Sequence, residues 1–262
     1  MIPWAVGKIR ISNQKADTAA FRKTLRRLGL SSKKAEDALV AGLKVFPGLD
    51  RSRPVQAQFE TNRKAIVVLC GIVCRYRLLE DGSRQIVSIY FPGDISNLPS
   101  FDRGPLQGLA LGALTDCTFG TLNFDFLNEQ MEPHPSLALA LWRAAILEMF
   151  VSRTWLLNTS QKAAVERVAH LICELLARQE ASGMSNRSIL LHQLDIADAV
   201  GLSAVHVNRS IQALRDSGAL SDVGRGIEVV DREKLERIAE FDGEYLTIGS
   251  TLSRWEVKLQ LG

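Results

Sequence analysis

Three polar side chains fall within four positions of one another at His206, Asn208 and Arg209, directly after Gly201-Leu202-Ser203. The types suit the edges of nucleic-acid bases. An arginine guanidinium can give two parallel N–H bonds to guanine O6 and N7, and an asparagine amide can pair with adenine or with a phosphate. Each good base contact discriminates by ~1–3 kcal/mol. His206 reads as a base or phosphate ligand, or as a plain surface histidine.

Such a set works only if an element presents it outward. Helical patterning predicts helices over about His192–Val200 and Ser203–Ser217. Ala197 is small where two helices must approach. Gly201 suits the positive-φ exit of a very short turn. Ile196, Leu202, Val207, Ile211 and Leu214 would form the core between the helices. Helical geometry then exposes Ser203, Ala204, Val205, His206, Asn208 and Arg209 near the start of the second helix, the end that enters the major groove in a helix-turn-helix. Ala219–Val230 reads as a hairpin interrupted by Gly224-Arg225-Gly226, with Arg225 beside a phosphate or simply in a turn; a helix over Arg232–Phe241 follows. An isolated Ala, Gly and Val spacing arises often by chance. The order of helix, glycine turn, helix and glycine-tipped hairpin makes the winged helix-turn-helix reading.

The chain has 262 residues in all, 46% hydrophobic and 23% charged, which suits a globular protein of more than one module. A net charge of +3 is too small to establish a polyanion partner by itself. The C-terminal part has about as many acids as bases, so Arg209, Arg215 and Arg225 would have to supply a local patch. That near-neutrality motivates a second reading, a protein-interaction regulator whose helix-turn-helix no longer binds DNA. No apolar run reads as a membrane-spanning helix of ~20 residues, and no export signal is evident, so the expected compartment is the cytoplasm, with no membrane partner and with Cys70, Cys74, Cys117 and Cys173 reduced.

Residues 1–20 read as an arm. Phe21 to Leu43 is helical in pattern, interrupted at Gly29 and Ser31-Ser32, either serine being a plausible N-cap. Arg22, Lys23, Arg26, Arg27, Lys33 and Lys34 make it basic: a solvated face, or a contact for an acidic partner. From about Val55 to Phe126 the pattern is β. Ala65–Leu79 and Gln85–Phe91 flank Glu80-Asp81-Gly82-Ser83, a hairpin signal, and Leu109–Leu114 and Thr118–Phe124 add short strands. This implies a jelly-roll-like architecture. Leu137 to Asn158 reads as one long helix, apolar around much of its circumference, which a second copy of the chain could cover. Asn158-Thr159-Ser160 would cap the next helix, Gln161 to about Glu180. A cupin-type enzyme needs histidines on its strands; residues 55–126 contain none, and no enzyme is expected.

The stretches GIVCRYRLLEDGSRQIVSIYFPGD, SRTWLLNTSQKAAVERVAHLICELLARQ and QLDIADAVGLSAVHVNRSIQALRDSGAL resemble the Crp–Fnr family of bacterial transcription regulators, over about residues 35–247. The implied fold is α+β: a β-roll sensor-like domain with leading helices over 21–132, a dimerisation helix over 133–158, a winged helix-turn-helix DNA-binding domain over 159–247 and a tail over 248–262. The resemblance implies a homodimer on two-fold-related double-stranded DNA sites, with RNA polymerase as a partner. By position, Arg209 falls on the family's guanine-reading arginine, and Asn208 on a position that contributes contacts in some members. Val205 replaces a frequent recognition glutamate, favouring a thymine methyl over a cytosine amino group. Cyclic-nucleotide binders carry a Gly-Glu pair and an Arg followed by Ser or Thr. Here Gly93-Asp94 and Gln107-Gly108 are assigned to those positions, and a neutral amide lacks arginine's bidentate fork. Cyclic AMP is therefore not expected. An iron–sulfur cluster is not expected either. Residues 1–69 lack cysteine, and Cys70 and Cys74, on one predicted strand, would lie ~13 Å apart. No cofactor is expected; His134, His170, His192 and His206 all lie outside the strands.

Overall fold

The computed structural model describes residues 17–49, 63–98, 109–184, 188–189, 191–223 and 226–247. Two short helices lead, α1 (Ala19–Arg27) and α2 (Lys33–Ala41), separated at Gly29 and capped at Ser32, whose Oγ accepts from the Ala35 amide. Half of the basic cluster predicted here is ion-paired within the two helices. Arg22, Arg26 and Lys33 all reach the buried Glu36 carboxylate, and Arg22 and Lys33 also reach Asp37.

The strands follow: β1 (Lys44–Leu49), β2 (Lys64–Cys70), β3 (Val73–Leu78), β4 (Arg84–Tyr90), β5 (Ile95–Ser96), β6 (Ala110–Ala113) and β7 (Cys117–Asn123). They form two antiparallel sheets, ordered β1-β7-β2-β5 and β4-β3-β6. The β3–β4 hairpin turns at Gly82, with φ 81°, as its sequence requires. The expected single run over 65–79 is instead two strands in different sheets. Gly71 splits it with φ 80°, and a Cβ there would lie 2.2 Å from the Asp116 carbonyl oxygen. Cys70 and Cys74 thus do not share a strand, and the spacing computed along one strand does not apply. β1 also begins ahead of the expected β region, and the end of that region is helical, α3 (Phe124–Met131), with Asn123 as N-cap.

Helix α4 (Pro135–Gln161) starts with proline at its first position, where a missing N–H costs nothing. It runs straight through the predicted cap at Asn158-Thr159-Ser160. Asn158 is buried and bonds His170 Nδ1 at 2.9 Å, so its side chain is not free to cap. The chain breaks at Lys162-Ala163, where Glu166 accepts from the Ala163 amide at 2.9 Å, and α5 (Ala164–Ser182) begins. By length and apolarity α4 could cross a bilayer, which corrects the expectation that no segment could.

After α5 come β8 (Ser188–Ile189), α6 (Gln193–Val200), α7 (Ala204–Asp216), β9 (Leu220–Val223), β10 (Gly226–Val229) and α8 (Arg232–Ala239), then a turn of 3-10 helix over Gly243–Leu246. The predicted hairpin is a three-stranded sheet, because β8 pairs with β10. One apolar core unites this unit with the strands: Ile72, Ile86, Ile89 and Phe91 join Ile172, Leu176, Ile196 and Ala199. A second core packs α1 and α2 against β2 and the start of α4.

The α1–α2 ion cluster has a measurable signature. Arg26, then Arg22 and Lys33, hold the Glu36 carboxyl down at about 2 against a usual 4.5, although burial alone would raise it. A carboxyl depressed in the folded state stabilises above its unfolded pKa, and that stabilisation is lost as pH falls through the folded one. Glu36→Gln should therefore lower the thermal midpoint at pH 7. The gap between variant and parent should close between pH 4.5 and about 2. A pH-independent gap would contradict this assignment.

Candidate nucleic-acid interface

Helices α6 and α7 are joined by Gly201 in the left-handed conformation, φ 66°, with Ala197 buried and the Leu202 amide bonded to the Ala197 carbonyl at 3.2 Å. That bond satisfies a carbonyl at the end of α6 and turns the chain at once into α7. Ile196, Val207, Ile211 and Leu214 are fully buried between the helices, and Leu202 is half-buried. Ser203 caps α7: its Oγ accepts from the His206 amide at 3.3 Å and lies 2.9 Å from His206 Nδ1. The predicted set Ser203, Ala204, Val205, His206, Asn208 and Arg209 is exposed throughout, with Val205 at 60%.

Positions 205, 208, 209 and 212 lie at three- and four-residue steps, so they share one outward face of α7. Gln212, bonded to Asp216 Oδ1 at 2.8 Å, extends that face by a turn and was missed in the sequence. The helical step from Asn208 could have found it. Gln193, at the start of α6, accepts from Asn208 Nδ2 at 3.3 Å. Nothing in the sequence shows which end of α6 crosses α7, so this partner was not legible. Arg215 is half-buried, whereas Arg209 is exposed. Arg225 and Gly224, the expected wing tip, lie outside the described residues.

Of the four positions assigned to the sensor, Gly93 and Asp94 are among the described residues. Gly93, φ 95°, sits under α1, where a Cβ would lie 2.6 Å from the Ala20 carbonyl oxygen. Asp94 Oδ2 accepts from the Phe91 amide and from Arg178 of α5, each at 2.9 Å. Its carboxylate is thus occupied by the protein's own guanidinium. Gln107 and Gly108 lie outside the described residues. Beside Asp94 opens a shallow cleft lined by Thr24, Ser88, Tyr90, Glu148 and Arg178 among others. Tyr90 donates to Glu148 across it.

Three of the four cysteines are core residues. Cys74, Cys117 and Cys173 are buried on β3, β7 and α5, and burial pushes each thiol up to about 12. Metal ligation needs the thiolate. Among the described residues no three His, Cys, Asp or Glu side chains gather as a metal site. His170 is buried against Asn158, Phe241 and Tyr245, and burial lowers its pKa to about 4, which suits a neutral structural imidazole.

Residues 166–238 match the family described as a Crp-like helix-turn-helix domain. The nitrogen fixation regulation protein FixK of Rhizobium meliloti is 31% identical over 203 residues, 77% of this chain and 90% of that protein. FixK of Bradyrhizobium diazoefficiens is 31% identical over 176 residues, 66% of this chain and 72% of its own length. The solved structure of FixK2 from Bradyrhizobium japonicum superposes with a TM-score of 0.66 at 27% identity, covering 75% of this chain and 96% of that one. These relatives are regulators, not enzymes.

The turn itself is testable. At Gly201 the nearest atoms to an added Cβ, Gln85 Oε1 and Thr159 Cγ2, are 3.7 and 3.8 Å away, so space is not the constraint. The cost of Gly201→Ala is conformational alone, ~1–2 kcal/mol for a non-glycine residue held left-handed. Chemical denaturation should show a loss of that size with an unchanged slope; no loss would remove the role given to Gly201.

Proposed function

Because the chain belongs to the Crp–Fnr family of transcription regulators, we propose that it acts in the cytoplasm as a homodimer on two-fold-related promoter sites, in contact with RNA polymerase. The observation that carries this reading is the exposed face of α7, with Val205, Asn208 and Arg209 side by side and open to solvent among the described residues. Arg209 reads a guanine, Asn208 an adenine or phosphate, and Val205 the methyl of a thymine. Ser203, Ala204 and His206 contact the DNA backbone at the helix's start, and Arg225, outside the described residues, is assigned a phosphate.

The dimer seam is α4. Trp142, Leu156 and Leu157 are 60%, 70% and 63% exposed, with Leu139 and Phe150 also open. So large an apolar surface on one helix calls for a cover, and a second copy supplies it without a membrane. The sensor takes neither cyclic AMP nor an iron–sulfur cluster on this reading: Asp94 is engaged by Arg178, and three thiols are buried in separate elements. The sensor then works with a different signal, or with none.

Arg209→Ala should leave the protein folded and dimeric while its affinity for a selected site falls by ~1–3 kcal/mol, with little change on unrelated DNA. If the parent protein shows no site-selective binding at any salt concentration, the interaction-module reading takes its place. Glutamate at both Trp142 and Leu156 should convert the dimer to monomer in sedimentation at micromolar protein; a parent that already sediments as monomer would remove the seam.

A further inference from the structure

The only covalent link between sensor and reader is the break at Lys162-Ala163, and an extended break of this kind leaves the swing of the reader undetermined. The apolar core shared by the two units brings them together, but apolar contact has little directionality. Directional bonds tie α4 to α5, through Trp155–Glu174 and Asn158–His170, and tie β4 to α6. Arg84 Nε donates to Asp198 Oδ2 at 2.7 Å, and its NH2 donates to Asp195 Oδ1 at 2.6 Å. Gln85 Nε2 donates to the Asp198 carbonyl at 2.8 Å. Asp195 is fully buried, and its other oxygen accepts from the His192 amide at the start of α6. A second pin lies on α5, where Arg178 holds Asp94 while stacked over the Phe91 ring.

The bonds from β4 all converge on α6, the helix that precedes the recognition helix. α6 cannot rotate against β4 without stranding the Asp195 carboxylate, and α7 is tied to α6 through Gly201 and the small core between them. Arg84 itself sits on the sensor side, away from the exposed face of α7.

We propose that Arg84 and Gln85 are positioning residues for DNA reading. They set the angle of α6, and through it of α7, relative to α4, and thereby the separation of the two recognition helices in a dimer. The sensor strand does by direct ion pairing what a bound effector would otherwise have to do. This rests on the dimeric reading proposed above. It adds that spacing selectivity, as distinct from base selectivity, resides in residues that never touch DNA.

The test uses full-length protein and duplexes with two half-sites at separations varied by one base pair at a time, beside a duplex with a single half-site. Each added base pair shifts and rotates one half-site along the helix, so a rigid dimer discriminates steeply. The parent should prefer one separation by about tenfold or more over its neighbours, and Arg84→Ala should reduce that preference to about threefold or less. Affinity for the single half-site should stay within about twofold, since no base contact is removed. Arg84→Lys, which can serve only one of the two carboxylates at a time, should fall between. Asp198→Ala should flatten the spacing profile too, and the double variant should be no flatter than Arg84→Ala alone. If Arg84→Ala fails to fold, Gln85→Ala and Asp198→Ala carry the same expectation. Variants that keep the parent's spacing profile, or lose single-site and paired-site affinity equally, overturn the inference while leaving the reading of DNA intact. A parent with no selective binding overturns both.

Discussion

A carboxylate taken fully out of water must be paired, and Asp195 is such a group. Its two oxygens meet the His192 amide and the Arg84 guanidinium, so one side chain fixes both where α6 starts and where α6 docks on the sheet. The rest of the reading head follows. Gly201 throws the chain outward after two turns of α6, Val207, Ser210, Ile211 and Leu214 are buried on the inner side of α7, and Val205, Asn208, Arg209 and Gln212 are left exposed on the outer one. The exposed reading surface is thus a consequence of what is buried behind it.

A second buried carboxylate ties this head to the long helix. Glu174 of α5 is fully buried and accepts from Trp155 Nε1 of α4 at 2.8 Å, from the Tyr245 hydroxyl at 2.7 Å and from Arg178 at 3.3 Å. Arg178 passes the connection on to Asp94 in the sensor. Every described member of this chain has partners, the condition under which a buried polar network adds definition rather than cost. It also explains the Gly93-Asp94 pair locally: the glycine lets α1 approach, and the aspartate receives α5.

Several features were legible because their causes are local. The left-handed turns at Gly82 and Gly201 and the Ser32 cap follow from residue type and neighbours in sequence. The outward face of α7 was legible too, as helical periodicity leaves little choice once Val207 and Ile211 are inside. Other features have causes far away in the chain. Gly71 divides one apolar run into two strands because the Asp116 backbone, forty-odd residues on, leaves no room for a side chain. Asn158 looks like a cap, but His170 claims its side chain and α4 continues. Gln193 beside Asn208, and Arg84 beneath α6, needed the folded arrangement to appear at all.

The most direct measurement of the central claim, that a dimer reads DNA through α7, is sequencing of the duplexes that the full-length protein enriches from a random pool. The account predicts a two-fold-related pair of half-sites, each with a G·C pair for Arg209 and a thymine where Val205 lies. Enrichment of a single unpaired element, or of no sequence, would contradict it.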